Sequence, residues 1–374
     1  MLFLLSAAAA LTAAVTAAQE PKLPEFRADV RVIRLDVSVV DRKGRPLPGL
    51  SPEDFTVFED GRPVEITYFE AVDAGGGVAT SADSAVVLTP APPRRILLLV
   101  DAGRMGFGDL IRARKSTARY LREQAGDGDW VRLVNLSTGW AWDGRIPEDR
   151  ERLEAAALAL EGRTSFWAGL GDNDSFLGFD RPIEDRVEID AGPGFGSEGH
   201  TSGQFLSQFA QSAGLLGVLE SLLVQLEGVE GRKALVLISP GFPQLMGLDR
   251  ELQKVATLAR QSATAVYFLD SVGLEAVLPE PGKPLPSLFG MAWQRSGGSQ
   301  DLAEATGGFT YRFSNALEPG LARVAAEMQT YYVVGYTPTR PEDGRFRKVK
   351  VKVGVRGASV RTKKGYLAGT RPRR

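Results

Sequence analysis

Asp101, Ser239, Asp270 and His200 are the side chains of this 374-residue chain whose types and settings could do chemistry. Asp101 follows the unbroken apolar run Ile96-Leu97-Leu98-Leu99-Val100 and opens the loop Asp101-Ala102-Gly103-Arg104-Met105. A carboxylate there, with a hydroxyl from Ser239 and a second carboxylate from Asp270, would begin a site for a hard divalent cation, which takes oxygen ligands. The rest of the loop supplies none, because Gly103 and Met105 carry no side-chain oxygen. Asp101 is then either a weak ligand or a carboxylate that bonds its own turn or caps the next helix. Asp270, at the end of Tyr267-Phe268-Leu269, is either a partner-facing carboxylate or a turn residue bonding local backbone. His200, the single histidine, could be the base of a hydrolase. No Gly-x-Ser-x-Gly turn accompanies it, and its Gly/Ser-rich surroundings read as a solvated loop.

The elements that must position these residues follow from hydrophobic period. Val30, Val32, Ile33, Leu35, Val37 and Val39 alternate with polar partners, as in a strand with one wet face. Phe55-Thr56-Val57-Phe58, the turn Glu59-Asp60-Gly61-Arg62, and Val64 to Phe69 read as a strand, a hairpin turn and a strand. Residues 74–93, rich in Gly, Ser and Pro, read as a linker. Strands then alternate with helices, which predicts a mostly parallel sheet with helices on its faces. Arg95 to Val100, Trp130 to Val134, Ala234 to Ile238 and Ala265 to Leu269 are the strands. Ile111, Ala118, Leu121 and Ala125 make a helical stripe, as do Leu216, Leu219, Leu223 and Leu226. In such sheets the ligand crevice lies past the carboxyl ends of the strands, which is where Asp101, Ser239 and Asp270 fall. Two insertions, 164–203 and 278–298, are long for loops in a compact domain, and such loops are usually functional or disordered.

Beyond residue 330 the chain returns to β character. Val349, Val351 and Val353 oppose Lys348, Lys350 and Lys352, so valine points inward and lysine outward. These strands are expected to complete the N-terminal β module, making the α/β part an insertion within an antiparallel β-sandwich. Trp140 and Trp142, two apart, share one face and either anchor a partner or pack a hairpin on the sheet.

Acidic and basic residues number 46 and 45, for a net charge of -1. No broad electrostatic footprint for nucleic acid or anionic membrane exists. The chain has no cysteine, so neither disulfides nor lipid attachment at a thiol is available. Residues 1–18 carry no charge, resemble the apolar region of a secretory signal, and end in small residues suited to cleavage. The expected organisation is a signal peptide at 1–18, the first part of the β-sandwich at 24–73, a linker at 74–93 and an α/β domain at 94–329. Strands at 330–368 complete the sandwich, and 369–374 form a tail.

The βα pattern with Asp101 after its first strand resembles the von Willebrand factor type A fold. The chain is most similar to the VWFA-related group of exported bacterial proteins common in Acidobacteria. The resemblance rests on Leu50-Ser51-Pro52-Glu53-Asp54-Phe55 with Glu59-Asp60-Gly61, Lys233 to Ser239, Tyr332-Val333-Val334-Gly335-Tyr336-Thr337-Pro338, and Asp343 to Val349 with Gly365-Tyr366, in that order along the chain. It implies a divalent-cation site made of an Asp-x-Ser-x-Ser loop, a threonine and a later aspartate. Asp101 keeps the first carboxylate, Gly103 and Met105 replace the two serines, and Ser239-Pro240-Gly241 offers no carboxylate. Thr164 and Thr201 are both possible for the threonine. The resemblance thus implies the fold and a degenerate site.

From the sequence we therefore expect an exported, non-catalytic protein-interaction module without a cofactor. Its binding edge would comprise Asp101, Gly103, Met105, Ser239 and Asp270. A Mg²⁺-dependent adhesion domain using Asp101 is the first alternative and a secreted hydrolase the second. The expected partner is a protein, not nucleic acid, with no stable membrane insertion once the signal is removed.

Overall fold

A computed structural model describes residues 32–73, 77–82, 85–89, 93–162, 199–229, 231–274 and 288–369. In chain order the first elements are β1 (Ile33–Val40), β2 (Phe55–Glu59), β3 (Arg62–Val64), β4 (Tyr68–Asp73), β5 (Gly77–Ala82), β6 (Ala85–Thr89) and β7 (Arg95–Val100). Next come α1 (Phe107–Glu123), β8 (Trp130–Asn135), β9 (Ala141–Arg145), α2 (Arg150–Leu158), α3 (Gly199–Gln225), β10 (Lys233–Ser239) and α4 (Asp249–Gln261). The rest are β11 (Thr264–Asp270), α5 (Leu288–Thr306), β12 (Thr310–Tyr311), α6 (Glu318–Gln329), β13 (Thr330–Tyr336), β14 (Phe346–Val353), β15 (Ser359–Arg361) and β16 (Gly365–Leu367).

A mostly parallel sheet runs β12-β11-β10-β7-β8-β9, with only β9 antiparallel to its neighbour. Its central strands are buried on both faces, which explains their unbroken apolar runs. Ile96, Leu98 and Val100 of β7 join Ala234, Val236 and Ile238 of β10 in one core with α1, α2 and α6. Leu97, Leu99, Leu235 and Leu237 point the other way, into a second core with α3, α4 and α5. Of the expected helical stripe Ala118, Leu121 and Ala125 are buried and Ile111 is only half-buried, while Leu110, Ala113 and Thr117 complete the covered face of α1.

Two antiparallel sheets, β15-β1-β13-β4-β5-β6 and β16-β14-β2-β3, enclose a third core. β13 lies between β1 and β4, with Leu35 opposite Val334 and Val334 opposite Phe69. Asp60 (φ 47°) and Gly61 (φ 82°) turn the β2–β3 hairpin, where positive φ at both central residues matches strand twist. The chain then crosses to the other sheet at β4, so the expected strand from Val64 to Phe69 is two strands in different sheets. Tyr336 and Tyr366 both donate to buried Glu59 Oε2, at 2.7 and 2.8 Å, and Tyr332 donates to Leu47 O at 2.6 Å. These are structural tasks for residues that carry the family resemblance. Lys348, Lys350 and Lys352 face solvent, as their alternation with valine requires.

The stretch 74–93, expected as a linker, instead carries β5 and β6, which extend the β4 edge as a hairpin. β5 is mostly small and polar residues and β6 has only the short run Val86-Val87-Leu88, so composition hid the strands. The 278–298 insertion is likewise helical from Leu288 onward, within α5.

A buried polar seam joins the antiparallel and parallel parts. Arg232, just before β10, donates to Ser38 Oγ of β1 at 2.8 Å, to Tyr267 Oη at 3.1 Å and to Glu327 O at 3.2 Å. The fully buried Glu327 carboxylate pairs with Arg323 at 3.4 Å and also with Arg361 of β15. Charges this enclosed are tolerated only when paired and hydrogen-bonded. Among the described residues no helix is long and apolar enough to cross a membrane. Residues 1–31, which include the expected signal peptide, lie outside the described residues, as do 370–374 of the tail.

Candidate functional site

Strand register alone sets the edge of the site. β7 and β10 pair with Val100 opposite Ile238, and β10 pairs β11 with Ser239 opposite Asp270. The Asp101 N–H donates to Ile238 O at 2.9 Å, and the Ser271 N–H donates to Ser239 O at 3.1 Å. Asp101, Ser239 and Asp270 therefore stand in a row along the sheet's carboxyl edge, as the sequence implied. All three are buried.

The Asp101 carboxylate accepts no capping hydrogen bond from the turn that follows, where the Arg104 N–H instead donates to the Asp101 carbonyl at 3.2 Å. Its Oδ2 accepts from Ser239 Oγ at 2.7 Å and pairs with Arg104 Nη1 at 3.3 Å. Residues Ala102–Arg104 form a single 3-10 turn, which swings Arg104 back over Asp101. Ser239 Oγ accepts in turn from the Gly241 N–H at 2.9 Å. Arg104 Nη2 donates to Gly241 O, closing the loop after β10 onto the loop after β7. Gly241 is required there. Its φ is 86°, and a Cβ would come within 2.4 Å of Ser296 Cβ.

Asp270 is held by a parallel device. Its Oδ1 accepts from the Val272 N–H at 3.1 Å, the local turn bond expected of it, and its Oδ2 accepts from Arg295 Nη2 of α5 at 2.7 Å. Burial pushes both carboxyls above the usual aspartate range. Arg104 and the Ser239 hydroxyl oppose the shift at Asp101; Arg295 and the Val272 N–H oppose it at Asp270. Arg312, just past β12, is within electrostatic reach of Asp270 and Arg295. Its three guanidinium nitrogens are buried and meet no acceptor among the described residues.

The divalent cation implied by the resemblance does not fit these residues. Gly103 lies in the turn, Met105 packs against the core, and guanidinium groups already supply positive charge beside Asp101 and Asp270. No group of three His, Cys, Asp or Glu converges among the described residues. Of the two threonines, Thr164 lies outside the described residues. Thr201 and His200 lie in the first residues of α3, not in the loop expected for them, and their side chains are outside the description. Trp142 packs against the core, whereas Trp140 projects into solvent, so they do not act as a pair.

A pocket of about 430 Å³ opens beside this edge, lined by Arg104, Gln208, Gln211, Ser212, Pro243, Gln294 and Arg295. Sequence reasoning missed both arginines. Arg104 was visible three residues after Asp101, a spacing that lets a turn bring the pair together. Arg295 gave no such signal, because it sits in a Gly-rich stretch read as an insertion. No protein-family model and no curated protein matches the chain.

Proposed function

We propose that this chain is an exported protein-interaction module of von Willebrand A type that binds its partner without a metal ion. The observation that carries the reading is the pairing of Asp101 with Arg104 and of Asp270 with Arg295 at the sheet's carboxyl edge. Each carboxylate has a cation supplied by the chain itself, so a metal would have to displace a guanidinium at every step. A mostly parallel sheet between two helical layers supports the von Willebrand A reading, and the uncharged residues 1–18 support export. Loops on such a rigid scaffold are where recognition normally resides.

Thermal melting in the presence of Mg²⁺, Ca²⁺ or Mn²⁺ tests the metal-free part, since a ligand of the native state raises the midpoint. The midpoint is expected to stay put; a rise abolished by Asp101→Ala overturns it. Affinity capture from an envelope extract with wild type and a Phe107→Ser/Trp140→Ser variant tests the surface. A partner held by wild type and lost by the variant is expected. Equal capture by both removes the carboxyl edge as the interaction surface. Recovery of the full-length chain from the cytoplasm with an intact N-terminus overturns export.

A further inference from the structure

We infer that the amino edge of the parallel sheet, where it meets the antiparallel part, holds a site for a phosphate or sulfate group of a small soluble molecule. The site lies at the far end of β7 and β10 from Asp101 and Ser239 and is independent of the interaction reading above.

Five cations converge there. Arg95 and Lys233 open β7 and β10 and stand opposite each other in the strand register. Arg260 lies in the last turn of α4. Arg34 and Asp36 share one face of β1 with Ser38, and the bond from Arg232 to Ser38 Oγ turns that face toward the parallel part. Lys363 lies between β15 and β16 on a segment pinned by Gly307, where a Cβ would stand 2.9 Å from Thr362 C and 3.0 Å from Lys363 N. Lys363 is within electrostatic reach of Asp36, Arg260 and Arg34, and Lys233 of Asp36 and Arg95.

The carboxylates there do not match these cations. Among the described residues Glu70 is taken up by Arg34 at 3.5 Å and by the Tyr68 hydroxyl, which leaves Asp36 to face the rest. Arg260 is only 9% exposed, yet it is held by the Thr257 hydroxyl at 2.8 Å and the Phe346 ring at 5.4 Å, with no carboxylate. Arg95 rests on the Trp130 ring at 5.5 Å without an ion pair. Lys363, half-buried, has neither a hydrogen bond nor an ion pair among the described residues. Lys233 is satisfied by Val229 O and Gly231 O, so it adds field rather than a contact. The carboxyl end of α4 favours a cation in its last turn, which accounts for Arg260 but not for Lys363 within its reach. In the adjoining seam Arg323 and Arg361 share the Glu327 carboxylate, and here the described residues supply no such counter-charge.

Enclosed like charges repel and lose hydration, so an incoming anion gains more here than at an open surface. An excess of more than one positive charge suits a group that carries about two negative charges, as a phosphate does near neutral pH. Guanidinium forks and ammonium groups are its usual partners. Arg260 is too enclosed for the plane of a bilayer to touch, so the fitting ligand is a small molecule that enters the recess.

The test follows the melting midpoint of the full chain with added inorganic phosphate or sulfate, against sodium chloride at matched ionic strength. A rise beyond that in chloride is expected. Calorimetric titration of Lys363→Met is expected to show phosphate binding about tenfold weaker than wild type. In chloride the same variant is expected to melt no lower than wild type, because it loses an unpaired cation. Asp36→Asn, which removes the opposing carboxylate, is expected to bind phosphate more tightly. No rise beyond chloride overturns the inference, as does equal phosphate affinity of Lys363→Met and wild type. A lower chloride midpoint for Lys363→Met means that the lysine is already paired and overturns the charge excess. Pelleting with phosphatidic acid vesicles without any response to inorganic phosphate overturns the recess in favour of a membrane surface.

Discussion

Ser239 Oγ donates a 2.7 Å hydrogen bond to Asp101 Oδ2 across two neighbouring parallel strands, with both residues wholly enclosed. The same oxygen accepts the Gly241 N–H, so one hydroxyl ties the end of β7 to the loop after β10. Ser239→Ala leaves a buried carboxylate oxygen and a buried N–H without these partners. A loss of about 1–3 kcal/mol in stability is expected, read from the urea midpoint. An unchanged midpoint would mean that the bond contributes nothing.

Gly241→Ala acts on the same loop by steric means. The backbone there is left-handed, and the new methyl would meet Ser296 Cβ at 2.4 Å and Phe268 Cζ at 2.8 Å. Overpacking and strain of this kind cost about 1–3 kcal/mol each. The variant is expected to melt well below wild type, and a midpoint within a degree or so of wild type refutes the packing described.

Glu327→Gln removes the carboxylate that Arg323 and Arg361 share in the buried seam. Breaking a buried pair from one side strands the opposite charges and costs about 3–5 kcal/mol. Chemical denaturation checks the loss. Glu327 lies on α6 and Arg361 on β15, so the variant should weaken the join between the parallel and antiparallel parts rather than either core.

Lys233 gives the stability a pH dependence of known sign. The side chain is 1% exposed, and burial lowers its pKa from 10.5 to about 8, although its Nζ donates to Val229 O and Gly231 O. The unfolded chain therefore holds the proton more tightly than the native chain between those values, and stability rises with pH through that window. Buried Tyr120, Tyr267 and Tyr331 are pushed the other way, so their contribution falls only above their ordinary value of 10.0. Between pH 8 and 10, wild type should gain about 2–3 kcal/mol relative to Lys233→Met. Parallel pH profiles for the two proteins contradict this.

The parts of the fold legible in the sequence are those where side-chain period reports burial directly. β7 and β10 read as strands because both faces are covered, and β14 because valine and lysine alternate. β5 and β6 were not legible because β5 is mostly small residues and the run Val86-Val87-Leu88 of β6 shows no alternation. In α5, Gly298 suggested a loop, yet a Cβ there would stand 2.5 Å from Phe242 Cε2, so it is a packing glycine inside a helix. The edge positions of Asp101, Ser239 and Asp270 followed from strand ends. Their arginine partners did not, since Arg295 reaches Asp270 only through the packing of α5 on β11.

The place of β13 bears on how the chain is made. β13 separates β1 from β4, and Ile33 finds its backbone partner only at Tyr336. A ribosome adding roughly 5–20 residues per second leaves those two early strands without the strand between them for tens of seconds. The nascent N-terminal segment thus waits with open strand edges until β13 has been synthesised, so this antiparallel sheet closes only after every strand of the parallel sheet has been made.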